Sequence, residues 1–273
     1  MTFLIFFVTL FLVPTLYAQV PSFDSMSDED LDLVVKEFAS NFVHTSATPP
    51  TSLGKLFGVE AAVIVGATES PGIEQLSKQV DPSSDVPYIP HAWLLGGVSI
   101  PYGVSVELNV LPELDLGDLK MSHTSVGLKW SVTDQFFKNL PFDWAVRTYY
   151  TKSEISYQQT VSNPSFPATS NVNVSFENTM IGGDTLIGFD LSVIEPYVGL
   201  GFVSTDGELS GVAATSTPYS LFDDLTSRSK SSKQSSERII AGCQFNLALM
   251  SVGLEYTRVF SINRLSAKLG LKF

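Results

Sequence analysis

The sequence predicts an all-β fold: a transmembrane, antiparallel, up-and-down β-barrel of about ten strands, with eight to twelve allowed, preceded by a short helix. Three observations carry this. The last ten residues alternate between apolar and polar without a break. The chain of 273 residues is 44% apolar yet only 16% charged, against about 25% charged in an ordinary soluble domain. Its first eighteen residues have the form of an export signal.

The closing segment defines the pattern. Leu265, Ala267, Leu269, Leu271 and Phe273 share one face, and Arg264, Ser266, Lys268, Gly270 and Lys272 share the other. Side chains of a strand alternate between its faces, and roughly 9–11 residues cross a bilayer as a tilted strand. The same alternation places Phe57, Val59, Ala61, Val63 and Val65 opposite Gly58, Glu60 and Gly66. It sets Val104, Val106, Leu108 and Val110 against Glu107, and Val126, Leu128 and Trp130 against Lys129. Phe142, Trp144 and Val146 oppose Arg147, and Pro196, Val198, Leu200 and Phe202 oppose Glu195. Ile239, Ala241, Cys243, Phe245 and Leu247 oppose Arg238 and Gln244, and Val252, Leu254 and Tyr256 oppose Glu255. His91 to Ile100 is apolar on both faces. In Asn171–Leu191 the apolar set moves from even to odd positions, which predicts a bulge near Gly182-Gly183. A soluble sandwich also alternates; the export signal and the loop lengths favour the barrel.

Phe3 to Val13 is an eleven-residue apolar stretch, followed by Pro14 and Ala18. It is too short to span a bilayer, which takes about 20 residues, and it matches the core of a signal peptide over residues 1–18. Residues 19–54 then form an N-terminal periplasmic segment, and 55–273 the barrel. An even strand count returns both barrel ends to the periplasm. The odd connections, Thr68–Pro90, Leu111–Asp118, Gln159–Ser170, Thr205–Ser236 and Ser261–Asn263, are then extracellular, and three of them are long.

Within the N-terminal segment, Ser27-Asp28-Glu29-Asp30 has the form of a helix start. Leu31, Val34, Val35, Phe38 and Phe42 follow helical spacing, so a helix is expected over 28–43, ended by Thr48-Pro49-Pro50. Leu31, Val35, Phe38 and Phe42 would serve as a lid or plug, with a lid on the barrel's lower rim as the simpler reading.

The run Leu269-Gly270-Leu271-Lys272-Phe273 resembles the terminal signature of Gram-negative outer-membrane proteins, in which Leu269, Leu271 and Phe273 would be read by the barrel-assembly machinery. Pro196-Tyr197-Val198-Gly199-Leu200-Gly201 is similar to a strand phrase of small outer-membrane barrels. Leu53–Glu60 and Ser99–Gly103 loosely resemble uncharacterised bacterial barrel families, some distantly similar to hydrophobic-compound transporters. The resemblance implies an outer-membrane location with lipid as the surrounding partner.

Charge on the lipid face costs about 2–4 kcal/mol at the midplane, so Glu60, Glu107, Lys129, Arg147, Glu255, Lys268 and Lys272 are expected to line the lumen. Glu255 and Lys268 lie on adjacent strands and are expected to be able to pair. The net charge of −12 argues against nucleic acid. No metal or cofactor motif is present, and the single Cys243 excludes an internal disulfide. His91 and His123, the latter near Asp118, Ser122 and Ser125, are expected at the outer rim, more readily as solvated histidines than as hydrolase residues. The sequence therefore favours a narrow channel or small- or hydrophobic-solute transport protein. A structural or surface-interaction barrel with a filled lumen comes second, and a rim hydrolase third.

Overall fold

The computed structural model describes residues 27–54, 57–80, 82–83, 85–115, 119–137, 140–162, 169–216 and 226–273. The expected signal peptide, residues 1–18, lies outside them. Ten strands close in sequence order, each antiparallel to its neighbours: β1 (Gly58–Glu69), β2 (Tyr88–Ile100), β3 (Val104–Asp115), β4 (Leu119–Ser131), β5 (Asp143–Ser162), β6 (Thr169–Gly188), β7 (Ile194–Ser216), β8 (Thr226–Leu247), β9 (Met250–Val259) and β10 (Ile262–Lys272). The seam pairs β1 with β10, from Glu60 opposite Lys272 to Thr68 opposite Arg264. Two backbone bonds between Val59 and Phe273, at 2.8 and 2.9 Å, carry the seam to the last residue.

The barrel is inverted relative to a soluble protein. Large apolar side chains are exposed, Leu200 to 63% and Leu269 to 49%, while Arg147, Lys129 and Lys268 are each 1% exposed. No soluble sandwich buries its charges and bares its aliphatics in this way. The exposed set forms a belt that includes Val98, Val106, Leu128, Val146, Val198, Ile239, Leu254 and Leu265. Tyr102, Trp130, Phe136 and Phe273 crowd its lower edge, where aromatic rings favour a membrane–water boundary.

Strands β5 to β8 have 20, 20, 23 and 22 residues, about twice the length that crosses a bilayer. Their outward faces turn polar above Tyr150, Ile181, Phe202 and Ile239, with Lys152, Glu154, Glu177, Asp206, Glu208 and Glu237 exposed. The upper halves therefore stand clear of lipid. Half of the expected loop Gln159–Ser170 and most of Thr205–Ser236 are thus strand, because a run rich in Ser and Thr can pair in a sheet whose outer face meets water. Likewise β3 continues to Asp115, with a register shift between Leu111 and Leu114. The β1–β2 connection carries a helix, α2 (Pro71–Val80). At the opposite end the turns are short: a 3-10 turn at Pro101–Gly103, the five-residue α3 (Val132–Phe136), and the turns after β6 and β8.

The expected bulge at Gly182-Gly183 is absent. β6 keeps one register with both neighbours from Thr169 to Gly188. From Val174 to Gly188 the even positions face inward, including Phe176, which is buried. The apolar residues of this stretch changed parity because the upper lumen is itself apolar, being filled by a helix. Gly182 has a different role: a Cβ there would lie 2.4 Å from the Tyr149 ring, so the missing side chain is the seat of that ring.

The N-terminal helix, α1 (Asp28–Phe42), opens with a capping box in which Ser27 and Asp30 satisfy each other's backbone N–H groups. It ends at Phe42, before Thr48-Pro49-Pro50, because the chain from Val43 onward is drawn out by wall contacts. The expected lid on the lower rim is replaced by a different arrangement. α1 lies inside the wall, with Leu31 and Val35 packed on Phe176 and Leu209. Phe42 and Val43 pack in a second cluster with Ile64, Trp93, Tyr149, Met180 and Val259.

Candidate functional site

The segment from Ser27 to Gly54 runs the length of the lumen, and its contacts fix its direction. At the tall end, Asp28 meets Lys230 at 3.2 Å and Ser232 donates to Asp32 at 2.5 Å. Helix α2 folds over this mouth: the Gly72 and Ile73 amides donate to the Glu37 carboxylate, the second at 2.8 Å. Lower, at the top of β9, Ser40 donates to the Val259 carbonyl at 3.1 Å. Asn41 then accepts from Thr68 at 2.8 Å and contacts His91 at 3.1 Å. At the far end, Ser52 donates to Asp134 of α3 at 2.5 Å and Thr51 to Glu195 at 2.7 Å. A cavity of about 640 Å³ opens at this mouth, lined by Thr51, Ser52, Tyr102, Asp134, Phe142 and Asp190.

Between these ends the segment is extended and polar, and the wall side chains bind its backbone. Arg264 donates to the Val43 carbonyl at 2.7 Å, Asn109 to Thr45 at 2.7 Å, Lys129 to Pro49 at 2.9 Å and Ser131 to Pro50 at 2.5 Å. Side chains add to this: Arg147 donates to Ser46 at 2.8 Å and Thr48 to Glu107 at 3.2 Å. His44 bridges two strands, with Nδ1 2.9 Å from Ser125 Oγ and Nε2 3.0 Å from Glu107.

The wall charges form linked groups. Arg147 and Arg238 converge on one oxygen of Asp184, at 2.7 and 3.0 Å. Arg238 also reaches Glu255 at 3.5 Å, and Tyr197 donates to the same carboxylate at 3.0 Å. Lys268 binds Glu60 at 2.9 Å across the seam and Gln244 at 2.7 Å. Lys129 and Arg147 flank Glu107 at 3.7 and 3.9 Å. Lys272 lies lower and donates to Asn246 at 3.0 Å. The expected Glu255–Lys268 pair does not form. Glu255 stands opposite Ser266, and Lys268 opposite Gly253, two residues along the strand; Lys268 instead reaches Glu60 and Glu255 takes Arg238.

Sequence reasoning missed Asp184, Arg238 and Arg264. Arg238 and Arg264 share the parity of Gln244 and Lys268 on their own strands, which was the available signal. Asp184 fell in the stretch assigned a bulge. Arg264 has no carboxylate within 4.0 Å among the described residues, and its guanidinium lies 5.0 Å over the Trp93 ring. Its hydrogen-bonded partner Val43 is the C-cap of α1, where the helix dipole presents partial negative charge. The unpaired arginine thus holds the helix end.

Nor are the histidines solvated at a rim. His91 and His123 are buried, at 6% and 1% exposure, because the plug covers them. His91 stacks on Trp93 and contacts Ser266 at 3.0 Å; His123 contacts Ser153 at 2.9 Å and stacks on Phe42. Asp118 lies outside the described residues. Ser125, His44 and Glu107 are connected in the order of nucleophile, base and orienting acid. Yet Ser125 is 0% exposed and is also bonded to Thr151 at 2.6 Å. His44 is itself part of the plug, and all three residues are buried in this arrangement.

A closed barrel with an apolar belt, an ion-paired lumen and strand ends that project on one side defines a β-barrel of the bacterial outer membrane. Over residues 18–273 the chain belongs to a family described as a family of unknown function (DUF6588). No curated protein matches it. Among solved structures it is similar to Ail, the attachment invasion locus protein of Yersinia pestis, with 13% identity and a TM-score of 0.34 over 81% of this chain and 100% of that one. It is also similar to the translocator domain of the autotransporter NalP from Neisseria meningitidis, with 10% identity and a TM-score of 0.36 over 90% and 95%. The monoaromatic hydrocarbon channel CymD gives 7% identity and a TM-score of 0.34 over 87% and 96%. Likeness at this level carries no argument about function.

Proposed function

We propose that the protein is a narrow outer-membrane channel held shut by its own N-terminal segment. The observation that carries this reading is the chemistry of the interface between Val43–Gly54 and the wall. It is made of polar contacts, with hydrogen bonds from wall side chains to plug backbone at Val43, Thr45, Pro49 and Pro50, and water can replace these when the segment moves. An apolar plug would leave bare hydrocarbon behind it, whereas this one would leave a hydrated ring of Glu60, Glu107, Lys129, Arg147, Asp184, Glu255 and Lys268. Such a ring suits a small polar solute better than a hydrocarbon. The reading includes no catalytic step: the connected trio is buried, and among the described residues neither His91 nor His123 is hydrogen-bonded to a carboxylate.

Conductance in planar bilayers tests this. The full-length protein should be closed with rare openings. A variant lacking residues 27–50 should conduct steadily while keeping its heat-modifiable gel migration. The complete burial of Arg147, Asp184 and Arg238 favours a second reading, a filled structural or surface-interaction barrel. That reading requires no conductance from either protein.

A further inference from the structure

The direction of the plug has a topological consequence. β1 starts at the short-turn end and β10 finishes there, so the barrel begins and ends in the periplasm. The plug segment does not begin there. It meets Asp134 in the short β4–β5 turn through Ser52, and it meets Lys230 and Ser232 in the tall part of β8 through Asp28 and Asp32. In register, Lys230 lies opposite Leu209 of β7. That is seven residues above Phe202, where the outward face of β7 turns from apolar to polar, or roughly 20 Å along the strand. Asp28 and Glu29 are exposed at this level.

We infer that the Ser27 end of the plug is presented at the cell exterior, so that the mature N-terminal segment crosses the outer membrane inside the barrel while the C-terminus stays periplasmic. The polarity of the segment agrees with this crossing. Its acidic first turn, Asp28-Glu29-Asp30, is at the water-exposed mouth, and its helix C-terminus faces the buried Arg264. Reversal would bury three carboxylates in the lumen and would set the helix's partial positive end on Arg264. The inference concerns topology alone and holds whether the lumen opens or stays filled.

Single cysteines on intact cells test it, in a Cys243→Ala background that removes the native thiol. Glu29→Cys marks the plug's exposed first turn, and Tyr102→Cys marks the exposed 3-10 turn at the opposite end. A membrane-impermeant maleimide should label Glu29→Cys on intact cells, and Tyr102→Cys only after the outer membrane is permeabilised. Heat-modifiable migration checks that both variants are folded. Labelling of Glu29→Cys only after permeabilisation, or only after denaturation, would overturn the inference. So would labelling of Tyr102→Cys on intact cells.

Discussion

His44 of the plug and Glu107 of the wall are joined at 3.0 Å, and neither is open to water. Glu107 is also the carboxylate on which Lys129 and Arg147 converge. One wall group therefore registers both the lumen's ion pairs and the presence of the plug.

His44→Ala should loosen the plug without emptying the lumen. A hydrogen bond to a charged group contributes roughly 1.5–3 kcal/mol, so the closed state should weaken by roughly ten- to a hundredfold. Open probability in planar bilayers should rise accordingly, with single-channel conductance unchanged. An open probability equal to that of the parent protein would remove His44 from the account.

Asp184→Ala should be the most damaging single change in the wall. It strands Arg147 and Arg238 together in a buried site, and breaking such a pair costs about 3–5 kcal/mol. The midpoint of urea unfolding in detergent micelles should fall well below that of the parent. Glu154→Ala, on the exposed outer face of β5, should leave it unchanged.

Gly182→Val tests the seat of Tyr149. The added atoms must displace a ring whose edge lies 2.4 Å from a Cβ at that position, and overpacking of this kind costs about 1–3 kcal/mol. A lower thermal midpoint is expected, together with retained outer-membrane insertion. A midpoint equal to the parent's would mean that Tyr149 has room to move elsewhere.

The clasp between α1 and α2 should respond to pH. Burial holds the Glu37 carboxyl above the ordinary carboxylate range, although the Ile73 and Gly72 amides pull it down in part. With the docked value raised, the docked state binds a proton that the undocked state has already lost. Docking should therefore tighten on acidification and weaken as pH rises through the raised value. A spin label on α2 should report growing mobility as pH rises over that range, and Glu37→Gln should abolish the trend. A trend that persists in Glu37→Gln would place the titrating group elsewhere.

Much of the barrel was legible because the bilayer imposes a two-residue period that nothing else disturbs. Leu265 to Phe273 on one face and Lys268 and Lys272 on the other needed no partner to be read. The plug was legible only as an element. The stripe of Leu31, Val35, Phe38 and Phe42 shows that a helix buries one face, and any apolar surface would satisfy it. Its destination was written in β6, where Phe176 shares the inward parity of Asp184. A lumen face that is apolar above and charged below is the mark of a barrel with a helix in its upper half. The ion pairs were less legible still, since which carboxylate meets which cation depends on strand stagger, as Glu255 and Lys268 show.

The central claim is that residues 43–54 occupy and close the lumen. Ala47 and Gly253 give the most direct test, because a Cβ on Gly253 would lie 3.3 Å from that of Ala47, close to the 3.5–4.5 Å of a disulfide, once the Ala47 carbonyl oxygen, 2.6 Å from the same point, has shifted aside. In a Cys243→Ala background, the pair Ala47→Cys and Gly253→Cys should cross-link under mild oxidation in outer-membrane fractions. The oxidised protein should be fully closed in planar bilayers, and reduction should restore openings. A cross-linked protein that conducts equally in both redox states would contradict the account.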